Sequence, residues 1–141
     1  MILVRLIVGL VFLTEGILKF TLPGELGSGR FAHIGLPLPY FLGPLVGAVE
    51  MIAGTALIFG FYAGDAALLL LIVILTAIVT TKVPILLGHG FGRFEPPRLN
   101  HYGVLTFLHE SRVDLCMLFG CVAILLDSGM QLGLKKRLFQ R

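Results

Sequence analysis

The chain has no tryptophan, only two cysteines and little charge: Asp, Glu, Lys and Arg make up 13% of its 141 residues, against 57% hydrophobic ones. Soluble domains carry about 25% charged residues, so the polar surface of a water-facing globule is missing. A mean hydropathy of +0.98 and long apolar runs point to one membrane domain over residues 1–141. The scarcity of cysteine excludes a disulfide scaffold. Cys116 and Cys121 lie in the fourth apolar run, about 140° apart on a helix, and read as small apolar side chains facing different ways. The net charge is +3, but the basic residues form no aromatic-interleaved stripe, so no nucleic-acid partner is expected. Lys135, Lys136, Arg137 and Arg141 close the chain behind a membrane segment, the pattern of a cytoplasmic tail. No small-x-small cleavage site follows the apolar N-terminus, and Glu15 and Lys19 fall where cleavage would be expected, so the first run reads as a retained helix.

A hydrocarbon core of ~30 Å needs about 20 helical residues. The pattern predicts an all-α, four-transmembrane-helix bundle in antiparallel up-down order, with helices over about 2–20, 40–61, 66–87 and 106–128. Pro23-Gly24, Gly27-Ser28-Gly29 and Pro37-Leu38-Pro39 break the first loop, and Gly64-Asp65 turns the chain between the second and third helices. Residues 88–105, with Gly88, Gly90, Gly92 and Pro96-Pro97, read as a loop. The run Leu115–Leu126 is too short to span, so the fourth helix is drawn from near Thr106, with Glu110, Arg112 and Asp114 in its first turns and a stop at Gly129. A basic tail over 130–141 follows. Four helices put both termini on one face. Arg5 and the tail supply five Lys/Arg there against six on the other face, and the concentrated tail favours termini in the cytoplasm of a cell membrane.

Seven ionisable residues interrupt the apolar runs: Glu15, Lys19, Glu50, Lys82, Glu110, Arg112 and Asp114. Each costs at least ~2.5–3.5 kcal/mol near the bilayer centre unless paired or hydrated. Counting ~1.5 Å per residue from the face bearing the first and third loops puts Lys19 at ~2 Å, Glu15 and Lys82 at ~7 Å, Asp114 at ~10 Å and Glu50 at ~15 Å. All fall in one half of the membrane, which predicts one shared polar site able to bind a ligand or a proton. Arg5, Gly9, Phe12, Gly16 and Lys19 share a helix face. Gly43, Gly47 and Gly54 mark a packing face on the second helix, with Gly43-x-x-x-Gly47 also a candidate dimer contact. Glu50 shares that face and should point into the bundle. The competing reading makes the charges register pins, Glu15 with Lys19 at the favourable i,i+4 spacing and Glu50 with Lys82 or Arg5. His33, His89, His101 and His109 sit on the same side without metal-ligand spacing, so no metal site is expected and no catalytic residue stands out.

Arg5-x3-Gly9-x2-Phe12-x3-Gly16-x2-Lys19 resembles the opening of the DoxX family. Phe31-Ala-His-Ile-Gly-Leu-Pro37-Leu-Pro39, Gly47-x2-Glu50-x3-Gly54 and Leu-Ile-Phe-Gly60 extend the resemblance through the second helix. Glu110 could fill the family's acidic entry to the last helix, whereas the loop with Arg93, Pro96-Pro97 and Arg98 has no counterpart. The resemblance implies a four-helix bundle in a prokaryotic cytoplasmic membrane, associated with quinol oxidation or thiol stress. Arg5, Lys19 and Glu50 match the family pattern.

Three functions follow as expectations. In the first, the protein is a redox-associated subunit holding a quinone headgroup, with Glu50 or Glu15 accepting a proton, Lys19, Lys82 or Arg112 binding the carbonyl oxygen, and a redox partner protein handling electrons. In the second, it is a non-enzymatic assembly or scaffold module that binds through Phe91, Arg93, Phe94, Arg98 and Tyr102. The third, a proton-coupled small-solute carrier, needs a homo-oligomer formed at Gly43/Gly47. Neither an enzymatic activity nor a cofactor beyond a candidate quinone is written in the residues.

Overall fold

The computed structural model describes residues 1–90, 92, 94 and 96–139, with side chains through residue 129. It is helical: α1 Ile2–Thr21, α2 Ser28–His33, α3 Pro39–Phe59, α4 Ala63–Ala77, a π-helical turn Ile78–Lys82, α5 Val83–Leu87, α6 Val104–Glu110 and α7 Arg112–Phe139. By length and composition, Pro39–Phe59 and the continuous Ala63–Leu87 could each cross a membrane. The core is built from Val8 and Phe12 of α1, Ala53 and Leu57 of α3, Ala67, Leu70 and Ile74 of α4, and Met117, Cys121 and Ile124 of α7. Large apolar side chains such as Leu3, Ile7, Ile52, Ile72 and Phe119 face outward from the four long helices. A water-soluble monomer rarely shows so much apolar surface, whereas a lipid-facing one has no reason to hide it.

Glycine sets the contact between α1 and α3. A Cβ on Gly9 would lie 2.7 Å from the Gly54 carbonyl oxygen, and one on Gly16 2.7 Å from that of Gly47. The pairing of Gly9 with Gly54 and Gly16 with Gly47 makes α1 and α3 antiparallel. The seven-residue spacing on both helices keeps the glycines on one seam, as in heptad packing. The Gly43 end of this face is covered by Ser28 of α2, within 3 Å of where a Cβ would stand. The Gly43/Gly47 face is therefore filled from within the chain, which removes it as the dimer contact the sequence offered.

Several boundaries differ from the sequence expectation. The turn between α3 and α4 falls at Gly60–Tyr62, not at Gly64-Asp65. Gly60 (φ 77°) and Tyr62 (φ 47°) both take the left-handed conformation. Gly64 and Asp65 lie in the first turn of α4, where an acidic residue suits the helix dipole. The first loop holds the short α2, and the fourth helix is divided at Ser111, which is fully buried. The break is slight, because the Leu115 N–H still donates to the Ser111 carbonyl at 2.8 Å. Ser111-Arg112-Val113-Asp114 has the Ser-x-x-Asp form of a helix start. Gly129 does not stop α7, which runs on to Phe139 and takes in most of the 130–141 tail. A single glycine costs a helix only about 1 kcal/mol.

The π-helical turn has a local cause. Pro84 lacks an N–H to give to Thr80, and its ring crowds that carbonyl. The wider turn before it relieves the crowding, with the Val83 N–H bonded to the Ile78 carbonyl. Thr80 and Thr81 hydroxyls donate back to Thr76 and Ala77 carbonyls at 2.8 and 2.6 Å. One extra residue in a turn rotates the downstream residues by about 100°. That rotation brings Lys82 back to the face of Leu70 and Ile74, the face that meets α7.

Gly9→Val or Gly54→Val should force α1 and α3 apart and lower stability by about 1–3 kcal/mol. Gly129→Ala meets nothing within 4 Å and should be neutral or raise stability by up to ~1 kcal/mol. Thermal unfolding in detergent, monitored by circular dichroism, checks both.

Candidate functional site

The seam between α1 and α3 brings a lysine and a carboxylate together in the protein interior. Lys19 Nζ lies 2.7 Å from Glu50 Oε2 and 3.8 Å from Glu15 Oε2. Glu50 is 4% exposed. At 2.7 Å the Lys19 ammonium and the Glu50 carboxylate form a close, charge-assisted pair. The Glu15 side chain is 49% exposed. The group thus holds one deep carboxylate, one cation and one carboxylate at the edge. Fully ionised, it carries one excess negative charge.

Glycine places these side chains. Glu50 stands three residues after Gly47 and four before Gly54, so it shares their helix face. The missing side chains let α1 approach closely enough for Lys19, whose Cβ packs on Gly47, to reach it. Glu50 pairs with Lys19 and not with Lys82 or Arg5. Arg5 lies at the other end of α1, its guanidinium against Gly60, where a cation suits the C-terminus of α3.

Lys82 belongs to a second group. Its ammonium donates to the Glu110 carbonyl at 2.7 Å and lies 3.5 Å from Asp114 Oδ2. It thereby ties the end of the π-helical turn to both sides of the α6–α7 break. The Glu110 carboxylate is at the surface, and only its backbone takes part. Arg112 stands apart, its Nη1 donating to the His109 carbonyl at 2.8 Å and lying 3.1 Å from His109 Nε2. Among the described residues no ion pair joins the Lys19 group to the Lys82 group, so the charges that depth places together pair off as two groups. Depth along a helix does not fix rotation about its axis, and rotation divides the charges. The π-helical turn that aims Lys82 was not among the sequence expectations; its signal is Pro84, two residues on.

An open apolar groove of about 430 Å³, lined by Ile17, Phe20, Thr21, Ala48, Met51 and Ile52, runs along the outside of α1 and α3. At ~100° per residue these side chains leave the seam on the flank opposite Lys19 and Glu50. The groove therefore does not open onto the ion pair. Cys116 and Cys121 are both free thiols. Phe91, Arg93 and Arg141 lie outside the described residues. Within the remaining partner-loop set, the Tyr102 hydroxyl donates to the Pro97 carbonyl and accepts from the Leu99 N–H, so it holds the loop's own shape.

Two substitutions separate the parts of the inner group. Lys19→Met leaves Glu50 buried without its cation and should cost about 3–5 kcal/mol. Glu50→Gln should cost less, because Lys19 keeps Glu15. The double change Lys19→Met/Glu50→Met should recover most of the loss, since apolar residues of similar size often replace buried pairs at no cost. Denaturant titration in mixed micelles measures all three.

The motif-bearing half of the chain, residues 1–83, matches the DoxX family model. Across 138 residues the chain is 41% identical to an uncharacterized membrane protein of Mycobacterium tuberculosis, a match covering 98% of this chain and 80% of that one. No solved structure matches. The inward-facing Lys19–Glu50 pair and the Gly9/Gly16–Gly47/Gly54 seam fall inside the matched segment, and the protein is a membrane protein of the DoxX family.

Proposed function

We propose that the protein is a four-span, up-and-down bundle of the cytoplasmic membrane that binds the polar head of a lipid-soluble molecule, a quinone being the best fit, at Lys19. Several features support the membrane placement. The 21 residues of α3 cover about 30 Å, one hydrocarbon thickness. Exposed Tyr40 and Phe41 stand at one end of α3, and Phe59, Phe61 and Tyr62 at the other, as in the aromatic belts of membrane interfaces. With α1 and α7 as the remaining spans, the termini share a face, and the basic stretch around Lys135–Arg137 supports a cytoplasmic placement of that face.

The observation that carries the ligand reading is the unequal grip on Lys19. Glu50 holds it at 2.7 Å, while the half-exposed Glu15 stands off at 3.8 Å. An incoming carbonyl oxygen can take the place of Glu15 at the ammonium without disturbing the deeper pair. A quinone fits this donor set: its oxygens accept from Lys19, and as a quinol its hydroxyls donate to the carboxylates. When bound, it would supply two-electron, two-proton chemistry. In this reading the chain's own residues bind and orient the head through Lys19, hold a proton at Glu15, and keep water from Glu50 by the Gly47/Gly54 seam. Electrons pass to a partner protein. Lys82, bonded across the α6–α7 break, pins structure and does not line this site.

Protein purified gently with native lipids should carry extractable quinone. The Lys19→Met/Glu50→Met variant should fold yet lose most of it, whereas Lys82→Met should keep it. Quinone-free wild-type protein, or full retention by the double variant, overturns the proposal. The second outcome would support the scaffold reading, in which the pair only sets helix register.

A further inference from the structure

The faces by which α1 and α7 meet are covered at one end and uncovered at the other. Gly120 of α7 rests on Val8 and Val4 of α1, near enough that a Cβ there would clash with Val8. On α7 the residues on the same side as Gly120 include Val113, the exposed Cys116, Met117 and Ile124, within about 60° of it. Met117 and Ile124 are 7% and 1% exposed, but Val113 is 55% exposed. On α1 the matching stripe is Val4, Val8, Val11 and Glu15, again within about 60°. Val8 is 2% exposed, whereas the Glu15 side chain is 49% exposed. Both stripes open at the same end, because α1 and α7 run in opposite directions: α7 is antiparallel to α4, with Gly64 against Ser128 and Lys82 against Asp114, and α3 and α4 are joined by a tight turn. Lys19 lies one turn beyond Glu15, between the directions of α3 and α7, with its side chain 10% exposed.

We infer that α1 and α7 diverge above the Val8–Gly120 contact to form a lateral portal. Through it an amphiphile dissolved in the bilayer, with a hydrogen-bond-accepting head, reaches Lys19 and Glu50. The ligand's class and destination rest on the function proposed above; the portal itself rests on the exposure pattern. The walls are Val113 on α7 and Val11 and Glu15 on α1. Valine walls facing lipid, with Glu15 at the rim and a charged pair behind, suit a molecule that enters sideways tail-last and do not suit a water-soluble solute. Val113 is then a gate residue that sets access and touches neither charge. A bulky side chain there should change rates of exchange more than equilibrium affinity.

Two measurements test this in protein reconstituted into liposomes. In a Cys116→Ser/Cys121→Ala background, bimane is attached at Val113→Cys, with Phe119→Cys as the lipid-facing reference and Ile124→Cys as the buried one. Acyl-chain nitroxide lipids should quench the dye at 113 about as well as at 119, and aqueous iodide should quench it poorly. Protection at 113 equal to that at 124 overturns the portal, as does quenching at 113 that vanishes when the protein is concentrated into dimers, which would assign the face to a second copy. In the second measurement, Val113→Trp should slow exchange of decylubiquinone by roughly tenfold with little change in Kd, since access acts on rates. An unchanged exchange rate also overturns the portal. A wild-type protein that binds no decylubiquinone overturns the ligand reading, and the quenching result still decides the portal.

Discussion

Lipid gives helices no hydrophobic reason to associate, so close packing must come from small residues that let backbones touch. Gly9 with Gly54 and Gly16 with Gly47 supply that contact here, and it governs much of the remaining structure. The seam sets α1 antiparallel to α3 and fixes their register. That register places Lys19 opposite Glu50, a carboxylate that would be costly to bury alone. The pair and the seam support each other, because the glycines bring the charges together and the ion pair opposes any slip along the seam.

The second polar group arises from a different constraint. Pro84 cannot continue a regular helix, and the π-helical turn that accommodates it turns Lys82 toward α7. There Lys82 holds the Glu110 carbonyl and Asp114 across the slight break at Ser111. The α4–α7 side of the fold is thus tied at one end by an ion pair and along its length by the Leu70, Ile74, Cys121 and Ile124 core. The α1–α7 contact is held by Val8 on Gly120, with exposed residues above it. The two sides of α7 thus differ: an ion pair and a buried core hold one, and a single close contact holds the other.

How much of this is legible in the residues varies with the kind of information needed. Helical class and a membrane setting come from composition and run length. The shared face of Gly47, Glu50 and Gly54 comes from helical periodicity, and with it the inward aim of Glu50. The partner of Glu50 does not: periodicity and spacing assigned Lys19 to Glu15 and left Lys82 or Arg5 for Glu50, and only the packed register selects Lys19. The turn lies at Gly60–Tyr62, earlier than the sequence suggests, because Gly64-Asp65 looks like a turn although its acidic residue equally suits the first turn of a helix. Ser111 gives a weak signal beside the long apolar run downstream of it. The continuation of α7 through Gly129 is hidden because a glycine is a weak stop unless the next residues also leave the helix.

By itself, the sequence determined that the chain is helical, that it belongs in a membrane, that α1 and α3 carry glycine faces, and that Glu50 and Lys19 are set among them. These are local properties, carried by hydropathy and a 3.6-residue period. Tertiary structure decided that the charges form two groups, that the Gly43/Gly47 face is filled within the chain, and that Glu15 and Val113 stay exposed near the Val8–Gly120 contact. Those outcomes depend on how helices rotate and tilt against one another, and period and depth along a single helix do not specify that.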